Sequence, residues 1–194
     1  MIIMGLDPAQ LRDWSALAVV DMQIKQLDSG KGRAEYSLLA MGRKQGLPYD
    51  QIVDWAAGTW RRPEFNTREP PEFILDSTGV GIAVKDMLKT KGVPVRAVTI
   101  TAGEVMTRAG PIIHLGKARL IGTFLAAFDS GKVRINPSMP IWEALQQELL
   151  NYRAEISAQG RAKFEAAEGE HDDLLFSLAL AVWYGEEIKR GNKL

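Results

Sequence analysis

The amino-acid sequence predicts a single mixed α/β domain, in which three antiparallel strands precede parallel strands that helices cover. Three patterns support this fold class: strand-like segments near the N-terminus, a strand-helix-strand unit in the middle, and strongly apolar helical segments toward the C-terminus. A chain of 194 residues with 46% hydrophobic residues can bury one substantial core but is short for two. We therefore expect one domain over residues 1–190.

The N-terminal segments have the composition of strands. Residues 2–6 form a short apolar run that leads directly into Asp7, which is typical of a buried strand. Residues 15–24 and 35–41 are also strand-like, and a turn rich in glycine, serine and lysine separates them, so an antiparallel meander is expected. Residues 48–60 then carry apolar side chains at helical spacing and predict the first helix.

The middle of the chain predicts a βαβ unit. Residues 73–75 form a second short apolar strand, which ends at Asp76. A helix-like stretch follows as far as Lys91, and residues 93–100 are again strand-like. Because such a crossover joins parallel strands, the sheet is expected to become parallel in this region, with helices packed on it.

The C-terminal half predicts three helices, a short strand and a hairpin. The final helix begins after His171-Asp172-Asp173, is apolar nearly all round, and is expected to end at Gly185. The preceding elements are expected as a helix at 114–128 that begins with His114, a strand at 133–135, a helix at 142–150 and a hairpin at 152–166.

Composition restricts the kinds of site that the chain can carry. Lys+Arg and Asp+Glu are equal at 24 each, so any contact with nucleic acid must be a local patch rather than bulk charge. The absence of cysteine excludes disulfides, thiolate nucleophiles and cysteine metal sites. Oxygen and histidine ligands remain. No targeting segment or apolar stretch of about 20 residues is evident, so we expect a soluble, cytoplasmic protein without membrane association.

Two aspartates stand at the ends of the short apolar strands. Asp7 and Asp76 would lie near each other, because the carboxyl ends of parallel strands line one crevice where ligands bind. A desolvated carboxylate is unfavourable unless it is paired or bound to metal. The alternative, equally compatible with either residue alone, is that each caps a turn or the following segment.

A second pair of acids, Asp172 and Asp173, opens the apolar final helix. This helix should be buried, so its start lies against the sheet; capping is again the alternative, and helical geometry does not choose between the two acids. Clustered carboxylates without cysteine are the ligands of Mg²⁺ or Mn²⁺, and two such ions commonly serve phosphoryl transfer. On spacing alone, chance placement of these acids stays open. His171 is either an auxiliary residue of such a site or a structural one.

Four basic residues are candidates for contacts with a phosphate backbone. Two of them lie on the predicted hairpin just before the acidic pair, where a basic hairpin could follow such a backbone. Solvated surface charge is the alternative for each. The candidates are Lys117, Arg119, Arg161 and Lys163.

Several short motifs occur in a defined order. They are GLDPA at 5–9, DWSA at 13–16, LDSTGVG at 75–81, GKARLI at 116–121, GKV at 131–133, HDD at 171–173 and SLALA at 177–181. In this order and with these gaps, the chain resembles the nuclease domain of phage terminase large subunits over nearly its whole length.

This resemblance implies a ribonuclease H-like fold whose first three strands are antiparallel. It also implies that Asp7, Asp76 and the pair Asp172 and Asp173 bind two divalent ions, Mg²⁺ or Mn²⁺, and cut double-stranded DNA during genome packaging in the host cytoplasm. The implied partners are a terminase ATPase domain, the small terminase subunit and the portal. No Walker A pattern is present, so we expect either an excised nuclease domain or a standalone nuclease.

Three other functions compete with this hypothesis. A Holliday-junction resolvase would share the fold and prefer branched DNA. An actin-like or sugar-kinase ATP-binding domain would require a second, duplicated half, for which 194 residues are too few. A catalytically silent docking module has no support, since all four acids are present.

Overall fold

The computed structural model describes residues 1–10, 13–28, 30, 32–66, 69–110, 112–156, 162–166 and 171–192, with backbone alone at 153–156 and 162–166. The strands are β1 (Ile2–Asp7), β2 (Trp14–Gln26), β3 (Gly32–Gln45), β4 (Glu72–Asp76), β5 (Val95–Thr101), β6 (Met106–Ala109), β7 (Ile112–Gly116), β8 (Val133–Arg134), β9 (Tyr152–Ile156) and β10 (Ala162–Ala166). The α-helices are α1 (Tyr49–Trp60), α2 (Gly81–Thr90), α3 (Lys117–Asp129), α4 (Trp142–Asn151) and α5 (Asp173–Lys189).

The described strands form one eight-stranded mixed sheet and a separate hairpin. The order of the sheet is β6-β7-β5-β4-β1-β2-β3-β8. Strands β1, β2 and β3 are antiparallel neighbours, whereas β4 is parallel to β1, β5 to β4 and β7 to β5. The predicted fold class, with an antiparallel meander followed by parallel strands, is therefore confirmed. The predicted hairpin is also confirmed, as the antiparallel pair of β9 and β10.

Helices cover both faces of the sheet. Alternate residues of β1, such as Ile3 and Met4, belong to two different hydrophobic clusters, because successive side chains of a strand point to opposite faces. The first cluster contains residues of α3, α4 and α5, and the second contains residues of α1 and α2. This sandwich explains why β1, and β4 after Glu72, carry no polar side chain before their terminal aspartates.

Helix α5 lies directly on the centre of the sheet. Its residues from Leu174 to Glu187 are buried, which agrees with the predicted all-round apolar pattern. At Gly5 the helix and β1 approach so closely that an added Cβ atom would stand 2.0 Å from the backbone oxygen of Ser177. Only glycine permits this approach, and it fixes where α5 sits along β1.

The helix predicted to begin at His114 was placed three residues too early. His114 lies inside β7, which pairs with β5 on one side and β6 on the other, and α3 begins at Lys117. The β6 and β7 hairpin was not predicted. The local sequence of residues 112–115 fits either a helix or a strand. The segment becomes a strand because its backbone pairs with β5.

The expected end of the last helix at Gly185 was also wrong, since α5 continues to Lys189. Gly185 is a packing residue within the helix, where an added Cβ would approach the Tyr36 ring to 2.5 Å. Within the part of the chain that is described, no helix has the length and apolarity needed to cross a membrane.

We predict that Gly5→Ala destabilises the fold strongly, because the new methyl group would overlap the Ser177 carbonyl. The expected loss is about 2–3 kcal/mol in the free energy of unfolding, measured by urea denaturation. The matched control is Gly58→Ala in α1, where an added Cβ meets nothing within 4 Å; this change should stabilise by about 0.5–1 kcal/mol. Equal effects of the two substitutions would contradict the close contact between helix and strand.

Candidate metal centre

Asp7 and Asp76 end two neighbouring parallel strands at the same level. Leu6 pairs with Leu75, so the next residue of each strand is an aspartate. Both point to the face that α5 covers, because each lies two residues after a residue on that face, Gly5 in β1 and Ile74 in β4. The strand register therefore brings these two predicted site residues together, as expected from the sequence.

The contact at Gly5 brings Asp173 to the same place. Asp173 lies one helical turn before Ser177, and Asp7 lies two residues beyond Gly5 on the same strand face. The first turn of α5 is thus carried over the carboxyl end of β1. Asp7 accordingly experiences the negative charges of Asp76, Asp173 and Asp172.

These charges are held together at an energetic cost. Burial first, and then the carboxylates of Asp76, Asp173 and Asp172, raise the pKa of Asp7 well above its ordinary value, and Lys117 opposes them. Burial raises the pKa of Asp173 to about 6, reinforced by Asp172 and opposed by His171 and Arg43. The arrangement favours either protonation or a neighbouring cation.

Asp76 also forms the turn that the sequence offered as an alternative role. Its Oδ1 accepts hydrogen bonds from the backbone N–H of Thr78, at 2.8 Å, and from the Thr78 hydroxyl. The Thr78 oxygen in turn accepts the N–H of Ile100 at 2.9 Å, which fixes this loop to β5. The side chain is 9% exposed, and burial raises its pKa while the bonds from Thr78 lower it.

Asp172 and Asp173 make different contacts. Asp172 occupies the N-cap position of α5 without a capping hydrogen bond from its side chain, and its Oδ2 lies 3.4 Å from Nζ of Lys117. Asp173 Oδ2 is buried and has no hydrogen-bond partner within the described part of the chain, and Nδ1 of His171 lies 3.7 Å from it. An unpartnered buried carboxylate oxygen is unusual in a folded protein and calls for a cation or a donor.

Sequence reasoning missed Glu148 and Arg43. Glu148, in α4, is 5% exposed; its Oε1 accepts a hydrogen bond from Arg43 and its Oε2 accepts one from the backbone N–H of Leu175, each at 2.9 Å. Burial raises its pKa to about 7, and Asp173 adds to this rise. One available signal was its spacing, since Glu148 lies three residues after the buried Leu145 and so shares the apolar face of α4.

The basic candidates separate into three cases. Lys117 lies at the acidic end of α5, where Nζ stands 4.6 Å above the Phe176 ring. Arg119 contacts the buried Glu187, about 20 Å along α5 from Asp173, so the fold does not bring it to the acids. Arg161 and the side chain of Lys163 lie outside the described residues.

The carboxylates lie in one region, but in the present side-chain conformations they do not converge on a single metal position. Among the described residues, no three histidine or acidic side chains are grouped closely enough to hold a metal ion. The backbone placement and the all-oxygen chemistry of the acids nevertheless suit a hard divalent cation. Binding would require their side chains to rotate toward a shared position.

We predict that Asp7→Asn stabilises the chain in the presence of a chelator, because it removes one of several repelling charges. Near pH 8 the melting temperature should rise by about 2–4 °C, measured by differential scanning calorimetry. The gain should shrink as the pH falls, since protonation of the wild-type carboxyl then removes the same charge. Asp76→Asn, at a residue that binds Thr78, should give a smaller gain or a loss. A lower melting temperature for Asp7→Asn would indicate a structural role instead.

Comparisons with known proteins identify the fold. Neither a protein-family model nor a curated protein sequence matches the chain. Among solved structures, it is similar to the large terminase nuclease from thermophilic phage G20c, with 22% identity over 93% of this chain and 80% of that one, and a TM-score of 0.66.

Two further structures are similar. The large terminase nuclease domain of Thermus phage P74-26 is 20% identical over 93% of this chain and 77% of that one, with a TM-score of 0.65. The human cytomegalovirus terminase nuclease domain is 14% identical over 98% and 85%, with a TM-score of 0.55. The chain therefore has the ribonuclease H-like fold found in large terminase nuclease domains.

Proposed function

We propose that this chain is a divalent-metal-dependent nuclease that hydrolyses phosphodiester bonds of double-stranded DNA. One observation carries the proposal: strand register and the seating of α5 bring Asp76 and Asp173 near enough to Asp7, at one end of the sheet, for their charges to raise the pKa of its carboxyl. Acids in that place lower the stability of the protein unless they bind a cation. The fold is also shared with terminase nuclease domains.

The proposed ligands are Asp7, Asp76 and the pair Asp172 and Asp173. Among the described residues, the buried Oδ2 of Asp173 accepts no hydrogen bond, which leaves it available to a cation. Carboxylate oxygens without sulfur ligands favour Mg²⁺ or Mn²⁺. Structures of the phage G20c nuclease with bound magnesium, cobalt or zinc, and of the cytomegalovirus nuclease soaked with manganese, support a divalent ion. We propose two ions, as is common in phosphodiester hydrolysis.

Bound divalent ions would supply an activated water and charge stabilisation for the leaving oxygen. The protein residues do the positioning. The Thr78 hydrogen bonds hold Asp76 at its strand end, and His171 lies beside Asp173. Lys117 contributes a positive charge next to Asp172, where it would also favour the approach of a phosphate.

DNA binding by this chain is expected to be weak and local. Equal numbers of acidic and basic residues give no net attraction to a polyanion. Lys117 is the basic candidate that the fold places at the acids, while contacts by Arg161 and Lys163 stay predictions. Affinity should therefore fall with added salt, with a small slope that reflects few phosphate contacts.

We further propose that the cleavage belongs to packaging of a phage genome. The fold shared with large terminase nucleases of two phages supports this context. In it, the chain would act with a terminase ATPase domain, the small terminase subunit and the portal, in the cytoplasm of the host. Residues 1–190 would form the single nuclease domain of that assembly.

Digestion of supercoiled plasmid tests the proposed activity. With Mg²⁺ or Mn²⁺ we expect nicked and linear products, and with EDTA none. Asp7→Asn, Asp76→Asn and Asp173→Asn should each lower the rate at least about 100-fold, because each removes a ligand charge. The matched control is Asp129→Asn at the exposed end of α3, which should cut at the wild-type rate.

The same assay distinguishes the competing functions. Metal-dependent cutting that survives both Asp7→Asn and Asp76→Asn would exclude the proposed site. Strong preference for a four-way junction over linear duplex would favour a resolvase. Hydrolysis of ATP without DNA cleavage would favour the nucleotide-binding alternative.

A further inference from the structure

A buried carboxylate joins α4 to the first turn of α5. Glu148 lies on the apolar face of α4 and is 5% exposed. Removing an ionised carboxylate from water is costly, so a chain keeps such a group only where several donors satisfy it. The donors that surround Glu148 therefore indicate what it does.

Glu148 caps α5 from a neighbouring helix. The first N–H groups of a helix have no partner within that helix. The Oε2 atom of Glu148 accepts the N–H of Leu175 at 2.9 Å. Asp172, at the N-cap position, makes no capping bond with its own side chain. The helix start is thus held by a residue that lies 27 positions away.

Arg43 ties the same carboxylate to the sheet. Its guanidinium donates to Oε1 of Glu148 at 2.9 Å. In the strand register, Arg43 pairs with Ala16 and Ala16 pairs with Asp7, so Arg43 stands in the same cross-strand row as the first acid of the site. Glu148 therefore connects the start of α5 to the row of the sheet that carries Asp7.

Aromatic contacts extend this connection to the residue before the helix. The Arg43 guanidinium lies 4.6 Å from the centre of the Trp14 ring, and the rings of Trp14 and His171 are edge to face with centres 6.4 Å apart. Strands β2 and β3 and helices α4 and α5 thus meet around the segment that carries Asp172 and Asp173.

We infer that Glu148 is a positioning residue that, together with Arg43, anchors the first turn of α5 and thereby sets Asp172 and Asp173 against Asp7 and Asp76. The two acids are the first residues of the helix unit, and helix ends open more readily than helix interiors. The bond to Leu175 acts on the turn that directly follows these two acids. The catalytic consequence rests on the proposed nuclease function, whereas the anchoring does not.

Glu186 provides a matched control at the other end of the same helix. It is 6% exposed, accepts a hydrogen bond from the Tyr36 hydroxyl at 3.1 Å and pairs with Lys132 at 3.0 Å. It is therefore a buried, doubly bound glutamate like Glu148, but about 20 Å along α5 from Asp173. A purely structural contribution should look alike at both residues.

The test compares Glu148→Leu, Glu148→Gln and Glu186→Leu in three measurements. These are amide hydrogen exchange along α5 by NMR, Mn²⁺ affinity from the paramagnetic resonance signal of free Mn²⁺, and kcat and KM for plasmid cleavage. We expect Glu148→Leu to speed exchange at Leu174 and Leu175 selectively and to weaken Mn²⁺ binding about 10- to 100-fold. The fall in activity should lie mainly in kcat.

Glu148→Gln keeps an acceptor for the Leu175 N–H and should restore slow exchange and most of the Mn²⁺ affinity. Glu186→Leu should lower the melting temperature but leave Mn²⁺ affinity within about twofold of wild type, as expected for a residue outside the supporting shell. If Glu148→Leu does not fold, Arg43→Gln tests the same anchor. This variant should also bind Mn²⁺ more weakly than wild type, with a smaller loss of affinity.

Equal Mn²⁺ affinity in Glu148→Leu and Glu186→Leu would overturn the positioning role. Unchanged exchange at Leu175 would overturn the anchor itself. A wild-type chain that binds no Mn²⁺ would instead refute the proposed metal site, and exchange at Leu174 and Leu175 would then decide the anchor alone.

Discussion

The backbone of α5 rests on the backbone of β1 at Gly5, and the arrangement of the whole acidic region depends on this contact. Without a side chain at Gly5, the helix approaches until an added Cβ would overlap the Ser177 carbonyl. The approach fixes the position of the helix along the strand. Asp173 then lies one helical turn before the contact, and Asp7 lies two residues beyond it. A packing constraint in the core therefore decides where the acids meet at the edge of the sheet.

The second constraint is electrostatic. Burial raises the pKa of the carboxyls at the ends of β1 and β4 and at the start of α5. At Asp7 the charges of Asp76, Asp173 and Asp172 add to this rise. A fold selected for stability alone would replace such a group with neutral residues. The protein retains them, with Lys117 beside Asp172; among the described residues, no donor reaches Oδ2 of Asp173. This local cost to stability agrees with the cation site that we propose.

Glu148 and Arg43 join these two constraints. Gly5 fixes how closely α5 approaches the sheet, and the Glu148 carboxylate fixes the first turn of the helix beside that contact. Arg43 carries the link to the strand row that contains Asp7. The Glu148 carboxylate is buried and Arg43 is partly buried, so the ion pair limits the movement of the helix start more than a fully solvated pair would.

The sequence by itself determined the elements whose signals are local. Hydrophobic periodicity indicates the apolar runs that end in Asp7 and Asp76, the antiparallel meander and the buried final helix. These elements predicted the sheet and the position of the two aspartates at its strand ends. Local patterns misplaced His114 and Gly185. Strand pairing with β5 makes the first a strand residue, and packing against Tyr36 keeps the second within a helix.

Only the tertiary structure decided which charges meet. Glu148 bonds to Leu175, which lies 27 positions away, and to Arg43, which lies 105 positions away. No local pattern in the sequence encodes such contacts. The tertiary structure also distinguishes two of the basic candidates. Lys117 lies at the acids, whereas Arg119 binds Glu187 at the far end of α5. Periodicity records the side of an element that is buried, whereas the partner it meets depends on how close the backbones approach, as at Gly5.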